Sequence, residues 1–356
     1  MMDLLLPGIT TRRIPTERLT TNILEVENRT DGEPVVFIHG NVSSSLFWQY
    51  AMRDLPATFR PIAVDLRGFG DSDPAPVDAT RGLRDFSDDV VSLLEWLELD
   101  RVHFVGWSMG GGVVLHLLRE HPALVRTATL VNPVSPYGFG GTKGVDGVHL
   151  EPPGLGAGAG SANAEFVERL SVGDRTADEP VSPRAVLGSS YVKAGFTPEP
   201  DDADRWVASM LSTRTGDDNY PGTSEVTPEW PGVLPGTRGV LNTMAPTFFR
   251  VDDLDVIEPK PPIYWIRGDS DVIVSDTSLF DLAYLGQIGA VPGWPGDELA
   301  PPQPMVSQTR HVLDRYVLAG GRYEELVITD TGHSPHIEKP KEFLATLVES
   351  ITEYTD

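Results

Sequence analysis

Short runs of apolar residues alternate with amphipathic stretches along the first part of this 356-residue chain. Four runs have the largely continuous apolar character of strands buried on both faces, at residues 35–38, 61–64, 102–105 and 127–131. The stretches between them place apolar side chains at helical spacing, as over 86–97 and 113–118. This alternation of strand and helix predicts an α/β protein built on a parallel sheet.

The pattern predicts further elements at both ends of the chain. Residues 11–28 alternate between apolar and polar side chains, which favours an antiparallel hairpin at one edge of the sheet. After residue 260 the alternation resumes. It predicts two more strands and two more helices, at 262–266 and 326–328 for the strands and at 305–319 and 339–353 for the helices.

Glycine and proline mark two regions where this order breaks down. The chain contains 35 glycines and 31 prolines, and 40 of these 66 residues fall within 133–260 and 286–304. We therefore predict two halves of an α/β core, an inserted lid with some helical pieces, and a second, irregular insertion. The core halves are residues 1–135 and 261–356, the lid is 136–260 with helices near 162–170, 181–195 and 201–213, and the second insertion is at about 286–304.

The charge balance limits the range of partners. Lys and Arg number 28 against 52 Asp and Glu, and the formal net charge of −24 argues against nucleic acid and anionic membranes. The chain has no cysteine, which excludes a disulfide framework, a thiolate nucleophile and a cysteine-ligated metal. No apolar run approaches the roughly 18 residues of a membrane span. We expect a cytoplasmic monomer or homodimer that acts on a small molecule, without metal or cofactor.

A Gly-x-Ser-x-Gly motif follows the third buried run. Its residues are Gly106-Trp107-Ser108-Met109-Gly110, and a helical stretch comes next. In this context the motif is typical of a sharp turn that holds a nucleophilic serine above the sheet. Glycine is needed on both sides because a Cβ there would collide with adjacent backbone. The following helix N-terminus would stabilise negative charge near Ser108, so we predict Ser108 as the catalytic nucleophile.

The predicted nucleophile needs a general base. Among the eight histidines, His333 follows the last predicted strand on a loop that can reach Ser108. We predict His333 as the base. His336, three residues later, is interpreted as part of the loop structure.

The base in turn needs a carboxylate that orients it. The strand at 262–267 is followed by two candidates, Asp269 and Asp271, and we prefer Asp271 because its outer position on the loop has the longer reach. The acid could also follow the strand at 127–131, but that position is Asn132 and not an acidic residue.

Two backbone N–H groups are needed to stabilise the oxyanion of an acyl-transfer intermediate. Met109, directly after the nucleophile, is predicted to provide one. The second is predicted to come from Asn41, in the turn His39-Gly40-Asn41-Val42 after the strand at 35–38. We interpret His39 as a structural residue of that turn.

Aromatic residues are frequent in the predicted lid. Ten lie between residues 137 and 249, and Trp107 adjoins the nucleophile. Some of them must pack within the lid, but a cavity roofed by aromatic side chains favours an uncharged, fairly bulky, apolar substrate. The candidate substrate-binding residues are Trp107, Tyr137 and Phe139.

Together, these motifs resemble those of the α/β-hydrolase fold superfamily, in its group of serine esterases, haloperoxidases and lactonases. The resemblance covers about residues 20–135, 260–285 and 323–355. Besides the serine motif, the segments that carry it are His39-Gly40-Asn41, Asp65-Leu66-Arg67-Gly68-Phe69-Gly70-Asp71-Ser72, Gly268-Asp269-Ser270-Asp271, Gly332-His333-Ser334-Pro335 and Glu338-Lys339-Pro340.

The resemblance implies a mostly parallel eight-stranded sheet flanked by helices, with a lid inserted after the sixth strand. It also implies a cofactor-free triad in the chain order Ser108, Asp271, His333. Two features depart from the family pattern: the lid of roughly 125 residues and the interval of 62 residues between Asp271 and His333 are both longer than usual.

The sequence therefore predicts a serine hydrolase that cleaves a carboxylic ester or lactone (EC 3.1.1) through an acyl-enzyme on Ser108. The same residues are compatible with a C–C bond hydrolase, an amidase or aminopeptidase, or a perhydrolase. The segment His39-Gly40-Asn41 also resembles haloalkane dehalogenases. Those enzymes have aspartate at the position of Ser108, so the serine argues against dehalogenation. An alternative of another class is a ligand-binding receptor on the same fold, and reaction of Ser108 with a fluorophosphonate would distinguish the two.

Overall fold

A computed structural model describes residues 4–354 and contains a central sheet of eight strands. In chain order the strands are β1 (Ile9–Pro15), β2 (Thr20–Val26), β3 (Glu33–Ile38), β4 (Phe59–Val64), β5 (Val102–Trp107), β6 (Val125–Val131), β7 (Ile263–Gly268) and β8 (Tyr323–Ile328). Their order across the sheet is β1-β2-β4-β3-β5-β6-β7-β8.

Most of the sheet is parallel. The six strands from β4 to β8 in the sheet order pair in parallel, whereas β2 is antiparallel to β4 and forms an antiparallel hairpin with β1. The predicted α/β class, the mostly parallel eight-stranded sheet and the edge hairpin are all confirmed. Every residue of β5 is buried, as expected for a central strand covered on both faces.

Helices flank the sheet and connect its strands. They are α1 (Gln49–Asp54), α2 (Arg84–Trp96), α3 (Met109–Glu120), α4 (Ala164–Ser171), α5 (Pro183–Val186), α6 (Pro200–Leu211), α7 (Leu282–Gln287), α8 (Met305–Leu318), α9 (Pro335–Glu338) and α10 (Pro340–Thr352). Helix α2 packs against α3, and α1 packs against α10. None of the helices in residues 4–354 is long and apolar enough to cross a membrane.

The chain between β6 and β7, residues 132–262, is called the inserted segment below. It contains α4, α5 and α6, close to the three predicted helical pieces. It also contains two short antiparallel strand pairs that the sequence pattern did not predict, Thr142–Lys143 with Val148–His149 and Ser224–Val226 with Val233–Pro235. Residues 288–304, after α7, form turns and irregular backbone.

The parallel strands bring the predicted site residues to one edge of the sheet. Asn41 follows β3, Ser108 follows β5, Asn132 follows β6, Asp271 follows β7 and His333 follows β8. Because the carboxyl ends of parallel strands meet at the same edge, residues more than 200 positions apart in the chain converge there.

Candidate active site

The turn between β5 and α3 holds Ser108 in a strained conformation. Ser108 has φ 57° and ψ −120°, and left-handed φ values are uncommon for residues other than glycine. A Cβ on Gly106 would lie 2.4 Å from the Gly110 carbonyl oxygen, and one on Gly110 would lie 2.4 Å from the Ile38 oxygen. Both glycines are therefore required by close backbone approach. Ser108 stands at the N-terminus of α3, where backbone N–H groups favour negative charge.

The loops after β7 and β8 bring a carboxylate and an imidazole together. His333 Nδ1 lies 2.8 Å from Asp271 Oδ2, and both side chains are buried. The other carboxylate oxygen of Asp271 accepts hydrogen bonds from Ile273 N at 2.7 Å and Val274 N at 3.1 Å. With Nδ1 donating to the carboxylate, Nε2 of His333 is the nitrogen with the lone pair in the neutral ring.

The second carboxylate after β7 is engaged elsewhere. Asp269 is exposed, and its Oδ1 accepts hydrogen bonds from Asp330 N at 2.8 Å and from Ser270 Oγ at 3.0 Å. Of the two candidate acids, Asp271 is the one in contact with His333.

Two side chains hold the backbone carbonyl of His333. Trp107 Nε1 and Asn132 Nδ2 both donate to the His333 carbonyl oxygen, each at 2.8 Å. Asn132 Oδ1 also accepts from Gly268 N at 3.2 Å, so this side chain joins the ends of β7 and β8. The position after β6 that lacks an acid in the sequence therefore carries a support for the histidine loop.

Glu338 in α9 also holds the loop that carries His333. Its carboxylate accepts hydrogen bonds from Gly332 N at 2.9 Å and from Lys193 N, in the inserted segment, at 2.8 Å. Burial raises the pKa of the Glu338 carboxyl above its usual value, and the charge of Asp271 acts in the same direction, while backbone N–H donors oppose it. A half-buried carboxylate thus joins the histidine loop to the inserted segment.

The turn after β3 approaches Ser108 closely. A Cβ on Gly40 would lie 2.9 Å from the Cβ of Ser108. Within residues 4–354, neither the Asn41 N–H nor the Met109 N–H donates to a protein acceptor. Both N–H groups therefore lack a protein acceptor among these residues, and their role in holding an oxyanion stays a prediction.

His39 at the start of this turn is a buried, neutral imidazole. Its Nε2 accepts from Leu66 N at 3.0 Å, and its Nδ1 donates to the Gly40 carbonyl oxygen at 2.7 Å. Burial lowers the pKa of His39 to about 4, against the opposing effects of Asp65 and the Gly40 bond. His39 therefore fixes the turn rather than titrating near neutral pH.

A cavity of about 540 Å³ lies over Ser108 and His333, and both residues line it. Asn41 and Trp107 also line it, together with side chains from the inserted segment and from the chain after β7. Apart from His333, none of the lining residues within 4–354 is acidic or basic. Leu279 and Phe280, which are 45% and 41% exposed, lie where the wall meets solvent.

A family model described as alpha/beta hydrolase fold matches residues 33–283 of this chain. The chain belongs to the α/β-hydrolase family. This membership confirms the resemblance drawn from the motifs.

Comparison with known proteins gives relatives of the same fold. The 2-hydroxymuconate semialdehyde hydrolase of Pseudomonas sp. strain CF600 is 30% identical over 184 residues, which cover 51% of this chain and 64% of that protein. In such matches with curated relatives, the chain described here covers between 22% and 64% of the relative's own length.

Solved structures match over nearly the whole chain. The serine hydrolase CCSP0084 of the polyaromatic hydrocarbon-degrading bacterium Cycloclasticus zankles has a TM-score of 0.61 at 19% identity, covering 98% of this chain and 100% of that one. The esterase RhEst1 of Rhodococcus sp. ECU1013 has a TM-score of 0.58 at 21% identity, with the same two coverages. These likenesses establish the fold.

The three predicted substrate-binding residues of this α/β-hydrolase differ in their placement. Trp107 and Phe139 line the cavity. Tyr137 does not line it: the side chain is buried, and the Arg250 guanidinium stacks on its ring at 4.6 Å. Its placement gives no support to the predicted substrate contact, because the ring packs within the inserted segment.

The sequence patterns did not predict the supports of the histidine loop. In the sequence, Asn132 stands out only as a position without an acid, and Glu338 only as part of a family segment. A polar residue directly after a buried parallel strand is the signal that could have singled out Asn132. No group of three or more His, Asp or Glu side chains in the described part of the chain is arranged to hold a metal ion.

Proposed function

We propose that this α/β-hydrolase cleaves carboxylic esters or lactones of uncharged, fairly bulky, apolar compounds through an acyl-enzyme on Ser108. The observation that carries the proposal is the arrangement of Ser108 and His333 on the wall of one uncharged cavity, with Asp271 2.8 Å behind the imidazole. A serine, a histidine and a carboxylate in these roles form the constellation used for acyl transfer.

In the proposed acylation step, Ser108 Oγ attacks the ester carbonyl carbon. His333 Nε2 takes the hydroxyl proton, and the carbonyl oxygen becomes an oxyanion that accepts hydrogen bonds from Asn41 N–H and Met109 N–H. Asp271 keeps the imidazole in the required tautomer and stabilises the imidazolium. The intermediate then collapses, the bond to the alkoxy oxygen breaks, and His333 gives its proton to the leaving alcohol.

In the proposed deacylation step, water replaces the alcohol. His333 Nε2 takes a proton from the water as its oxygen attacks the acyl carbon, and the same two N–H groups hold the second oxyanion. Collapse breaks the bond to Ser108 Oγ, which recovers its proton from His333. The carboxylic acid leaves, and for a lactone the product is the hydroxy acid.

The cavity wall supports the proposed substrate class. A volume of about 540 Å³ accommodates a drug-sized molecule. Phe139, Phe166, Tyr191 and Tyr220 line it from the inserted segment, which we propose acts as the lid that selects the substrate. A charged substrate would lose its hydration here without gaining an ion pair, which is unfavourable.

C–C bond hydrolysis is a second candidate because a 2-hydroxymuconate semialdehyde hydrolase is 30% identical over 51% of the chain. A muconate semialdehyde carries a carboxylate, however, and the described lining residues include no Arg or Lys to pair with it. The wall therefore favours ester or lactone hydrolysis over a reaction on a carboxylate-bearing substrate.

A panel of p-nitrophenyl esters tests the proposal. We expect the benzoate and cyclohexanecarboxylate to be cleaved with a higher kcat/KM than the acetate. The glutarate monoester resembles the hexanoate in length but ends in a carboxylate. We expect its kcat/KM to be about 100-fold lower than that of the hexanoate, because burial of an unpaired charge is costly.

The control is Ser108→Ala, which should hydrolyse none of these esters above the background rate. Two results would contradict the proposed substrate class: the acetate being the fastest substrate, or the glutarate monoester matching the hexanoate. Activity retained in Ser108→Ala would contradict the proposed mechanism itself.

A further inference from the structure

The turn after β3 has a backbone conformation that its residue type does not favour. Val42 has φ 45°, in the left-handed region, where a β-branched residue is strained. Such a conformation persists only where surrounding contacts hold it. Asn41 comes directly before Val42, so the direction of the Asn41 N–H depends on how this turn is held.

A tyrosine of the inserted segment supplies one of those contacts. Tyr191 ends the π-helical turn Leu187–Tyr191, a type of turn that occurs frequently at functional sites. Its hydroxyl donates to the Asn41 carbonyl oxygen at 2.8 Å and lies 3.2 Å from the Val42 carbonyl oxygen. Burial of the side chain raises the pKa of Tyr191 above its usual value, so the hydroxyl stays protonated and remains a donor.

The same stretch also contacts the loop of the predicted base. Lys193 N donates to Glu338, which accepts from Gly332 N directly before His333. The Tyr191 ring lies edge-on to the His333 ring, with centroids 6.4 Å apart. Residues 191–193 therefore contact both backbone segments on which the proposed chemistry depends.

We propose that Tyr191 is a positioning residue: its hydroxyl holds the turn at Asn41 and Val42 in the conformation that aims the Asn41 N–H at the oxyanion. This inference rests on the proposed function, because it assumes that an oxyanion forms at Ser108. The hydroxyl acts through the backbone carbonyls that it contacts. The inserted segment then contributes to the chemical step as well as to the shape of the cavity.

The test is Tyr191→Phe, which removes the hydroxyl and keeps the ring. We expect kcat for a cleaved neutral ester to fall about 10-fold, because a displaced oxyanion donor weakens only the transition state. KM should stay within about 2-fold on the same grounds. Binding of a trifluoromethyl ketone, which forms an oxyanion adduct with serine, should weaken about 10-fold, while binding of the neutral alcohol product is unchanged.

The matched control is Tyr316→Phe. Tyr316 is buried, its hydroxyl donates to the Pro261 carbonyl oxygen at 2.7 Å, and it does not line the cavity. Both variants lose one buried bond from a tyrosine hydroxyl to a backbone carbonyl, so their melting temperatures should fall by similar amounts. Only Tyr191→Phe should lower kcat. An unchanged kcat, or equal effects on KM and kcat, would overturn the inference.

A double-mutant cycle with Val42→Gly gives a second readout. Glycine adopts a φ of 45° without strain, so the turn should depend less on the tyrosine hydroxyl. We expect Tyr191→Phe to cost about 3-fold in kcat in the Val42→Gly background, against about 10-fold in the wild type. Equal losses in the two backgrounds would contradict the inference. A wild-type protein that cleaves no ester would instead refute the proposed function, and this inference with it.

Discussion

The parallel strands and the inserted segment both reach the cavity, but with different kinds of side chain. The loops after the strands bring Ser108, Asp271 and His333 to the carboxyl edge of the sheet, in contacts that join distant parts of the chain. The inserted segment lines the cavity without an acidic or basic side chain. Its polar contacts to the site include Asn132 at its first position, the Tyr191 hydroxyl and the backbone of Lys193.

This difference indicates a division of roles. Reacting groups need fixed geometry, and hydrogen bonds to backbone and to each other hold them on the ends of strands. The proposed substrate wall needs shape and low polarity, which aromatic and aliphatic side chains of the inserted segment would provide. We therefore expect substitutions in the strand loops to affect the rate of reaction, and substitutions in the inserted segment to affect the choice of substrate, with Asn132 and Tyr191 as the exceptions.

The largest effect that tests this comparison is expected for Asp271→Asn. Asparagine would stabilise the wrong tautomer of His333 and would not stabilise the imidazolium, so kcat should fall about 1,000- to 10,000-fold. Ester hydrolysis at saturating substrate measures this change. Circular dichroism should show an unchanged fold.

Asp269→Asn is the matched control. Asn keeps an oxygen that can accept from Asp330 N, and the side chain is exposed on the same loop. Its kcat should stay within about 3-fold of the wild type. If Asp269→Asn abolished activity while Asp271→Asn retained it, the contact between Asp271 and His333 would not be the one used in catalysis.

A smaller effect is expected in the pH dependence of stability, and it should arise in the core. His39 has a pKa lowered from 6.5 to about 4 by burial, so between these values the unfolded chain binds a proton that the native state does not. Stability contributed by the neutral imidazole is present above pH 6.5 and is lost as the pH falls towards 4. The loss amounts to about 3 kcal/mol of the free energy of unfolding.

His39→Gln isolates this contribution, because a glutamine oxygen can accept the Leu66 N–H bond but does not titrate. Urea unfolding at pH 7 and pH 4 should show a smaller loss of stability in the variant than in the wild type. Burial also lowers the pKa values of His103, His116 and His336, so a pH dependence remains in both proteins. Equal losses in the two proteins would contradict the role of His39.

Local sequence patterns predicted most of the sheet and the close approach of Asp271 to His333. The buried runs and the glycines around Ser108 are local signals, because burial on both faces and a tight turn impose their requirements on neighbouring residues. The pairing of Asp271 with His333 was predicted because each follows a predicted strand on a loop at the same edge of the sheet. Strand ends differed by a few residues, as for β8, predicted at 326–328 and observed at Tyr323–Ile328.

The cavity wall and the supports of the histidine loop could not be predicted in the same way. Tyr137 and Phe139 are two residues apart in a segment without periodicity, yet one packs against Arg250 and the other lines the cavity. Asn132 contacts a carbonyl 201 positions away, and Lys193 contacts a carboxylate 145 positions away. Such contacts depend on tertiary packing, which leaves little signal in the residues on either side.

The central claim, that Ser108 is an activated nucleophile, is tested most directly by a fluorophosphonate and intact-protein mass spectrometry. Ser108 Oγ would displace fluoride from phosphorus and form one stable phosphonyl ester. We predict a single adduct per folded chain, located at Ser108 by peptide mapping, and none in Ser108→Ala. A folded wild-type protein that takes up no label, or an adduct that persists in Ser108→Ala, would contradict the account.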